Sequence, residues 1–229
     1  MDTLAITRPE TLKDLVYRKV KELLVTGRLP HDEIHSANQL ADELGVSRTP
    51  VREALLQLSA EGFLLPLKGR GFQVRRFTRQ EVKDLFEARR VIECHVAECL
   101  AARADLSLEP LNAALKGMSD AAGSVDLDAF MESDDAFHHA LFKMHGNRLL
   151  HATLDNLRTC ILLIGYTVLG REGRSQEVLA EHRAVAQALK KRDPQAAREA
   201  MRRHLEATEA QLLKVLEEDR GGARDIDPA

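Results

Sequence analysis

Four polar residues on the inward faces of predicted helices could together bind a metal ion. Asp134 and His138 lie four residues apart on the apolar line of one helix, so their side chains are neighbours. His182 and His204 lie on or beside the apolar lines of two further helices. Each histidine alone is better explained as a hydrogen-bonded core residue, but an isolated buried carboxylate is costly. The set as a whole therefore favours a divalent transition metal.

The ligand types restrict which metal such a site would hold. Imidazole favours Zn, Ni, Cu or Fe, and a carboxylate is compatible with these and with Mn. We expect Zn, with Ni, Mn or Fe as alternatives. Four protein ligands in octahedral geometry would leave two positions for water or for a bound small molecule.

Arg89 is a further unusual residue, because it falls on the apolar line of the predicted helix 79–104. A buried guanidinium needs an anionic partner. The partner is either Glu93, four residues further along, or the carboxylate of an incoming small molecule held by two parallel hydrogen bonds. The spacing leaves both interpretations open.

The pattern in residues 36–74 predicts two short helices joined by a tight turn. Ser36 followed by Gln39 is typical of a capping box at a helix start. Gly45 follows the end of that helix, where positive φ is easiest for glycine. A second helix is predicted to begin within residues 47–50.

The second helix carries two arginines on one face. Arg48 and Arg52 are four residues apart and lie opposite an apolar line of Val51, Leu55 and Leu58. Arginine can bind guanine O6 and N7 bidentately in the major groove, and it can also clamp phosphates. The alternative is a charged face that contacts only solvent.

A basic hairpin is predicted to follow this helix. The short apolar segments 64–65 and 72–74 flank the sequence KGRG, which would form a glycine-rich tip. Helix, turn, helix and basic hairpin together predict a winged helix-turn-helix that binds DNA in the major groove. A preceding helix over 11–26 is predicted to face inward with its leucines and valines, including Leu12 and Leu15.

The run LADELGVSRTPVREAL, followed later by KGRGF, resembles the GntR family of bacterial transcription regulators over residues 9–76. The resemblance implies that the second helix reads an operator and that the wing tip approaches the minor groove. Asn38 stands where the family often has an arginine that contacts DNA, and it can still hydrogen-bond a base or phosphate. The expected DNA-binding residues are Asn38, Arg48, Thr49, Arg52, Lys68, Gly69 and Arg70.

From Thr78, which forms a second capping box with Glu81, the pattern predicts helices and no convincing strand. The predicted spans are 79–104, 108–122, 127–145, 147–169, 175–191 and 194–218. Short connections favour antiparallel packing in a bundle. The predicted fold is therefore mainly α, with an N-terminal winged helix-turn-helix over 1–76, a C-terminal antiparallel all-α bundle over 79–219 and a flexible tail over 220–229.

The segments that contain the four candidate metal ligands resemble the FCD effector domain of the FadR subfamily, over roughly residues 79–215. The resemblance implies that Asp134, His138, His182 and His204 bind a metal in a central cavity, and that Arg89 lines the effector pocket. Three other histidines do not match ligand positions, namely His139, His145 and His151. Three weaker candidates for effector contacts are Asn156, Arg158 and Tyr166, but a solvated or simple packing role is the favoured interpretation of each.

Composition restricts the compartment and the partners. The chain has 229 residues and a net charge of −3, and its three cysteines form no zinc or redox spacing. An odd cysteine count suits a reducing cytoplasm, and neither a secretory signal nor a membrane span is visible. Residues 1–78 carry +2 and the remainder −5, so DNA binding would depend on individually placed basic residues.

These observations predict a homodimeric, cytoplasmic, ligand-responsive transcription regulator, and most such regulators are repressors. Its expected partners are double-stranded operator DNA with an inverted repeat and a small organic acid. One alternative is a metal-dependent hydrolase fused to a DNA-binding module, although the sequence shows no further convincing inward carboxylate to act as the base. The other is an architectural DNA binder whose helical domain is only structural.

Overall fold

The computed structural model of the protein describes residues 11–25, 27–31, 33–124, 126–169 and 174–222. The described residues form two compact units, which meet in sequence at the bond between Arg76 and Phe77. Each unit has its own set of buried apolar side chains. The prediction of a mainly α fold is confirmed.

The first unit contains three helices and three short strands in its described part. In chain order these are α1 (Leu12–Val25), β1 (Ile34–His35), α2 (Ala37–Leu44), α3 (Arg48–Ala60), β2 (Leu64–Leu67) and β3 (Gly71–Val74). The strands form one antiparallel sheet in the order β1-β3-β2. The hairpin of β2 and β3 is the predicted wing, but β1 was not predicted, because two residues give no readable alternation.

Gly71 in β3 leaves room for β1 to join the sheet. Gly71 has φ +137°, and a Cβ atom at this position would lie 2.6 Å from the carbonyl oxygen of His35. A side chain at position 71 would therefore push β1 away from β3, and the sheet would be reduced to the hairpin of β2 and β3.

The turn between α2 and α3 is largely as predicted. The Ser36 hydroxyl accepts a hydrogen bond from the Gln39 backbone N–H at 3.1 Å, and Gly45 ends α2 with φ +65°. The Gln39 side chain donates to Glu43 and does not return to Ser36, so the cap uses one half of the predicted box. In α1 the prediction was wrong for Leu12 and Leu15, which are about half exposed.

The second unit is helical throughout its described part. Its helices are α4 (Arg79–Ala101), α5 (Glu109–Ser124), α6 (Leu127–His145), α7 (Arg148–Leu169), α8 (Arg174–Lys191) and α9 (Pro194–Gly222). The capping box of Thr78 and Glu81 is complete at the start of α4. Helix α9 continues past the predicted start of the tail at residue 220, and residues 223–229 and the predicted break at 170–173 lie outside the described residues.

Helix α4 packs along α9, and α5 packs against α6. Ion pairs between Arg90 and Glu209 and between Arg198 and Glu98 join α4 to α9 around a continuous apolar core. Polar side chains from α4, α6, α7, α8 and α9 meet inside this core. None of the helices in the described part is long and apolar enough to cross a membrane.

Candidate metal centre and nucleic-acid interface

Helices α6, α8 and α9 bring the four predicted metal ligands together inside the second unit. Asp134, His138, His182 and His204 are all buried, and each offers one ligand atom within 4.8 Å of the others. The Nε2 atom of His182 lies 3.2 Å from Nε2 of His138 and 3.2 Å from Oδ1 of Asp134. Ligand atoms about 2.1 Å from a common zinc ion would be separated by about 3.0–3.4 Å. The spacing therefore fits one transition-metal ion.

The same type of contact orients each of the three histidines. In each of them, Nδ1 contacts a hydrogen-bond acceptor. The contacts are His138 to Glu93 at 2.5 Å, His182 to the carbonyl oxygen of Val178 at 2.8 Å, and His204 to Glu181 at 2.8 Å. Acceptors at Nδ1 fix the tautomer that places the lone pair on Nε2, as outer-shell partners do at metal-bound histidines.

The protonation of these rings supports a cation between them. Burial lowers the pKa of His138 to about 3 and that of His204 to about 4, so both rings are neutral near pH 7. Nε2 of His138 faces Nε2 of His182 at 3.2 Å, and because each of these rings has an acceptor at Nδ1, the two Nε2 lone pairs cannot form a hydrogen bond with each other. A metal ion would satisfy both, together with the carboxylate of Asp134.

The carboxylate of Asp134 is held by Arg158, which is almost completely buried. Its Nη2 donates to Asp134 Oδ2 at 2.5 Å and its Nε donates to Asp135 Oδ1 at 2.9 Å. Burial would raise the pKa of Asp134, but Arg158 and His182 outweigh it and hold this pKa well below its usual value. The carboxylate is therefore ionised, with Oδ1 left for the centre.

In the first unit, the predicted DNA-binding side chains are exposed. Arg48, Thr49 and Arg52 lie on the open face of α3, while Val51 and Leu55 are fully buried on the opposite face. A helix placed in this way presents its first turns to a major groove.

The wing and α2 add further exposed polar groups. Lys68, Gly69 and Arg70 form the exposed turn between β2 and β3, and Gly69 has φ +72°. Asn38 is exposed in the first turn of α2. The seven residues predicted to bind DNA are therefore all accessible to solvent in this unit.

Comparison with protein families agrees with the division of the chain into two units. Residues 12–74 match the model for bacterial regulatory proteins of the gntR family, and residues 84–207, more than half of the chain, match the FCD domain. The chain belongs to the GntR family, with an FCD domain in its second unit. Metal binding is a known property of FCD domains, and the described residues hold a possible Asp/His site for it.

Similar proteins are transcription regulators and not enzymes, which argues against the hydrolase alternative. An HTH-type regulator from an unstable DNA locus of Streptomyces ambofaciens is 30% identical over 89% of this chain and 86% of its own length. The transcriptional repressor RspR of Escherichia coli is 27% identical over 89% and 90%. The solved structure of E. coli McbR/YncC matches with a TM-score of 0.78 and 22% identity over 90% of this chain and 99% of that one, which shows the shared fold.

The expected role of Arg158 and the expected lack of inward carboxylates both need correction for this GntR regulator. A solvated or simple packing role for Arg158 is wrong, since it is buried and ion-paired with two aspartates. Glu93 is a fully buried carboxylate that joins Arg89 to His138, at 2.5 Å from each. Burial alone would raise the pKa of Glu93, but these two partners lower it, so the group stays ionised.

A small cavity adjoins the Asp/His cluster in the FCD domain. Its volume is about 30 Å³, and its lining includes Arg89, Arg158 and Arg174. Two buried guanidinium atoms, Nη2 of Arg89 and Nε of Arg174, have no hydrogen-bond partner among the described residues. Sequence reasoning missed Arg174, because the predicted helix began one residue later. The side chains of Asn156 and Tyr166 lie outside the described residues.

Proposed function

We propose that this GntR regulator is a homodimeric repressor that acts in the bacterial cytoplasm on an inverted-repeat operator. In this proposal residues 1–76 read the operator, mainly through Arg48, Thr49 and Arg52, with Asn38 and the wing tip 68–70 alongside. Residues 79–219 form the dimer and bind a divalent metal and a small organic acid. A two-fold dimer would present two copies of α3 to two half-sites.

One arrangement supports the effector site. Inward-facing imidazole nitrogens lie close to the buried guanidinium of Arg89, whose Nη2 has no hydrogen-bond partner among the described residues. The ligands would be Asp134, His138, His182 and His204, with Zn expected and Ni, Mn or Fe as alternatives. When bound, the metal supplies positive charge at open positions that a carboxylate can occupy. Arg89 uses its Nε for Glu93 and keeps Nη2 for that carboxylate.

The cavity size supports a switch as well as a binding site. A volume of about 30 Å³ holds about two water molecules, so an organic acid of several carbons must move lining side chains to enter. A ligand acts as a switch when it binds one conformation better than another. A coupling of ~1–3 kcal/mol would change operator affinity about 5–150-fold, and operator DNA would change effector affinity by the same factor.

The test begins with selection of an operator from random duplex DNA by the purified, zinc-loaded protein. A thermal-shift screen of small organic acids on the same sample then identifies an effector. Calorimetric titration of that acid, with and without operator, should give two affinities that differ by the predicted factor. Equal affinities would remove the switch, and an operator-binding chain that holds neither metal nor acid would support the architectural alternative.

The pair of variants Arg89→Ala and Arg90→Ala tests the guanidinium itself. Arg90 is the next residue of α4, but it pairs with Glu209 and does not line the cavity. We expect Arg89→Ala to weaken binding of the acid, with operator binding in its absence nearly unchanged. Arg90→Ala should bind the acid as the wild type does. An equal loss in both variants would argue against the clamp.

A further inference from the structure

A second cluster of ligand-type side chains lies between α6 and α7, outside the central cavity. His139 comes from α6, and His151 and Asp155 come from the first two turns of α7. All three side chains are partly exposed, at 31%, 36% and 56%. An ion could therefore reach this outer cluster directly from solvent.

The three ligand atoms have the mutual spacing of a metal site. Nδ1 of His139 lies 3.1 Å from Nε2 of His151 and 3.3 Å from Oδ1 of Asp155, and the last two atoms are 3.9 Å apart. Ligands about 2.0–2.1 Å from a tetrahedral zinc ion are about 3.3 Å apart. One ion at the centre of these atoms would need only small side-chain movements.

The orientation of His139 also fits a ligand. Its Nε2 contacts Oδ2 of Asp135 at 3.3 Å, and Asp135 is held in turn by Arg158. A carboxylate at one ring nitrogen is the usual outer-shell partner of a metal-bound histidine. With the proton on Nε2, the lone pair on Nδ1 faces His151 and Asp155.

A simple hydrogen bond between the two histidines explains only part of this arrangement. Without an ion, either His151 donates its Nε2 proton to Nδ1 of His139, or His139 carries a second ring proton and donates from Nδ1 to His151 or Asp155 while Nε2 donates to Asp135. With a cation between the three atoms, all three serve as ligands and no second ring proton is needed. We propose that His139, His151 and Asp155 form a second transition-metal site, for Zn²⁺ or a similar ion, with its fourth position open to water.

The experiment measures zinc per chain in the full-length protein after removal of metal and dialysis against buffered Zn²⁺. We expect two equivalents in the wild type and one in His151→Gln. In His182→Ala, which alters the central site, the equivalent that depends on His151 should remain, and adding His151→Gln should remove it. The outer site is thus tested separately from the proposed effector site.

Two further variants locate the second ion. Asp155→Asn keeps the shape of the side chain and should also lose the second equivalent, whereas His145→Gln should keep it. His145 lies on the same helix as His139 but belongs to a different group, with His95 and Cys99. Loss of zinc in His145→Gln with retention in His151→Gln would overturn the assignment, and so would a single equivalent in the wild type that His182→Ala abolishes. Melting curves of the metal-free variants check that each is folded.

Discussion

The two units of this GntR regulator place their functional side chains in opposite environments. On α3 the arginines are exposed, and the buried positions of the helix are all apolar. In the FCD domain the corresponding groups are buried, and each contacts a second charged or polar group on another helix. We therefore expect that the arginines of α3 can be replaced without cost to the fold, whereas the proposed metal centre and the stability of its domain depend on the same atoms.

The strongest test of this difference is Glu93→Gln. The substitution leaves the buried guanidinium of Arg89 without its charged partner, and breaking one side of a buried ion pair costs ~3–5 kcal/mol. Urea unfolding of the metal-free protein should show this loss. Glu98→Gln is the matched control on the same helix, because Glu98 pairs with Arg198 at the surface, where such pairs contribute ~0–1 kcal/mol. Similar losses in both variants would contradict the buried network.

The next largest effect is the pH dependence of the metal-free protein. The folded-state pKa values of His138 and His204, about 3 and about 4, lie below the ordinary value of 6.5. The unfolded chain therefore binds protons that the folded chain does not, so stability is retained above pH 6.5 and is lost as pH falls below it. Each histidine contributes up to ~1.4 kcal/mol per pH unit in this window.

Urea midpoints between about pH 7.5 and about pH 5 check this prediction. The midpoint should fall with pH in the chelated wild type, and the slope should be smaller in His138→Gln. An unchanged slope in that variant would mean that the pKa of His138 is the same in the folded and unfolded chains.

Substitution of the arginines on α3 should weaken operator binding without changing the stability of the protein. We expect Arg48→Ala and Arg52→Ala each to weaken operator binding by ~1–3 kcal/mol and to relax sequence preference, with the unfolding midpoint unchanged. Arg202→Ala is the control, since this exposed arginine lies on α9 and pairs with two glutamates of its own helix. Fluorescence anisotropy with the selected operator measures the change. Full affinity in both α3 variants would assign DNA reading to another surface.

The smallest expected effect is a difference in stability between variants of two serines in the first unit. Ser36→Ala removes the side-chain cap of α2 and should cost ~1 kcal/mol. Ser47 occupies the same position before α3 but forms no side-chain cap there, so Ser47→Ala should be nearly neutral. Thermal unfolding of the two variants makes the comparison, and equal losses would show that the Ser36 bond is not what stabilises α2.

The features that could be predicted from sequence are those set by neighbours in the chain. The cap at Ser36, the left-handed Gly45 and the inward orientation of each of the four candidate metal ligands follow from spacing within one helix or turn. The pairing of β1 with β3, the ion pair of Arg158 with Asp134 and the exposure of Arg174 to the cavity depend on distant segments. Helical spacing offered Glu93 as one of two possible partners of Arg89 but could not show the contact of Glu93 with His138, 45 residues away.

The ion pair between Arg158 and Asp134 affects which metal ions the proposed centre could bind. With Oδ2 engaged by the guanidinium, the carboxylate offers the centre a single oxygen, and the remaining ligand atoms are nitrogens. Calcium takes six to eight oxygen ligands, and magnesium demands an octahedral shell composed mostly of oxygen. Neither of these abundant cations can be coordinated well by one oxygen and three imidazoles. The proposed site would therefore select transition metals over a large excess of alkaline-earth ions.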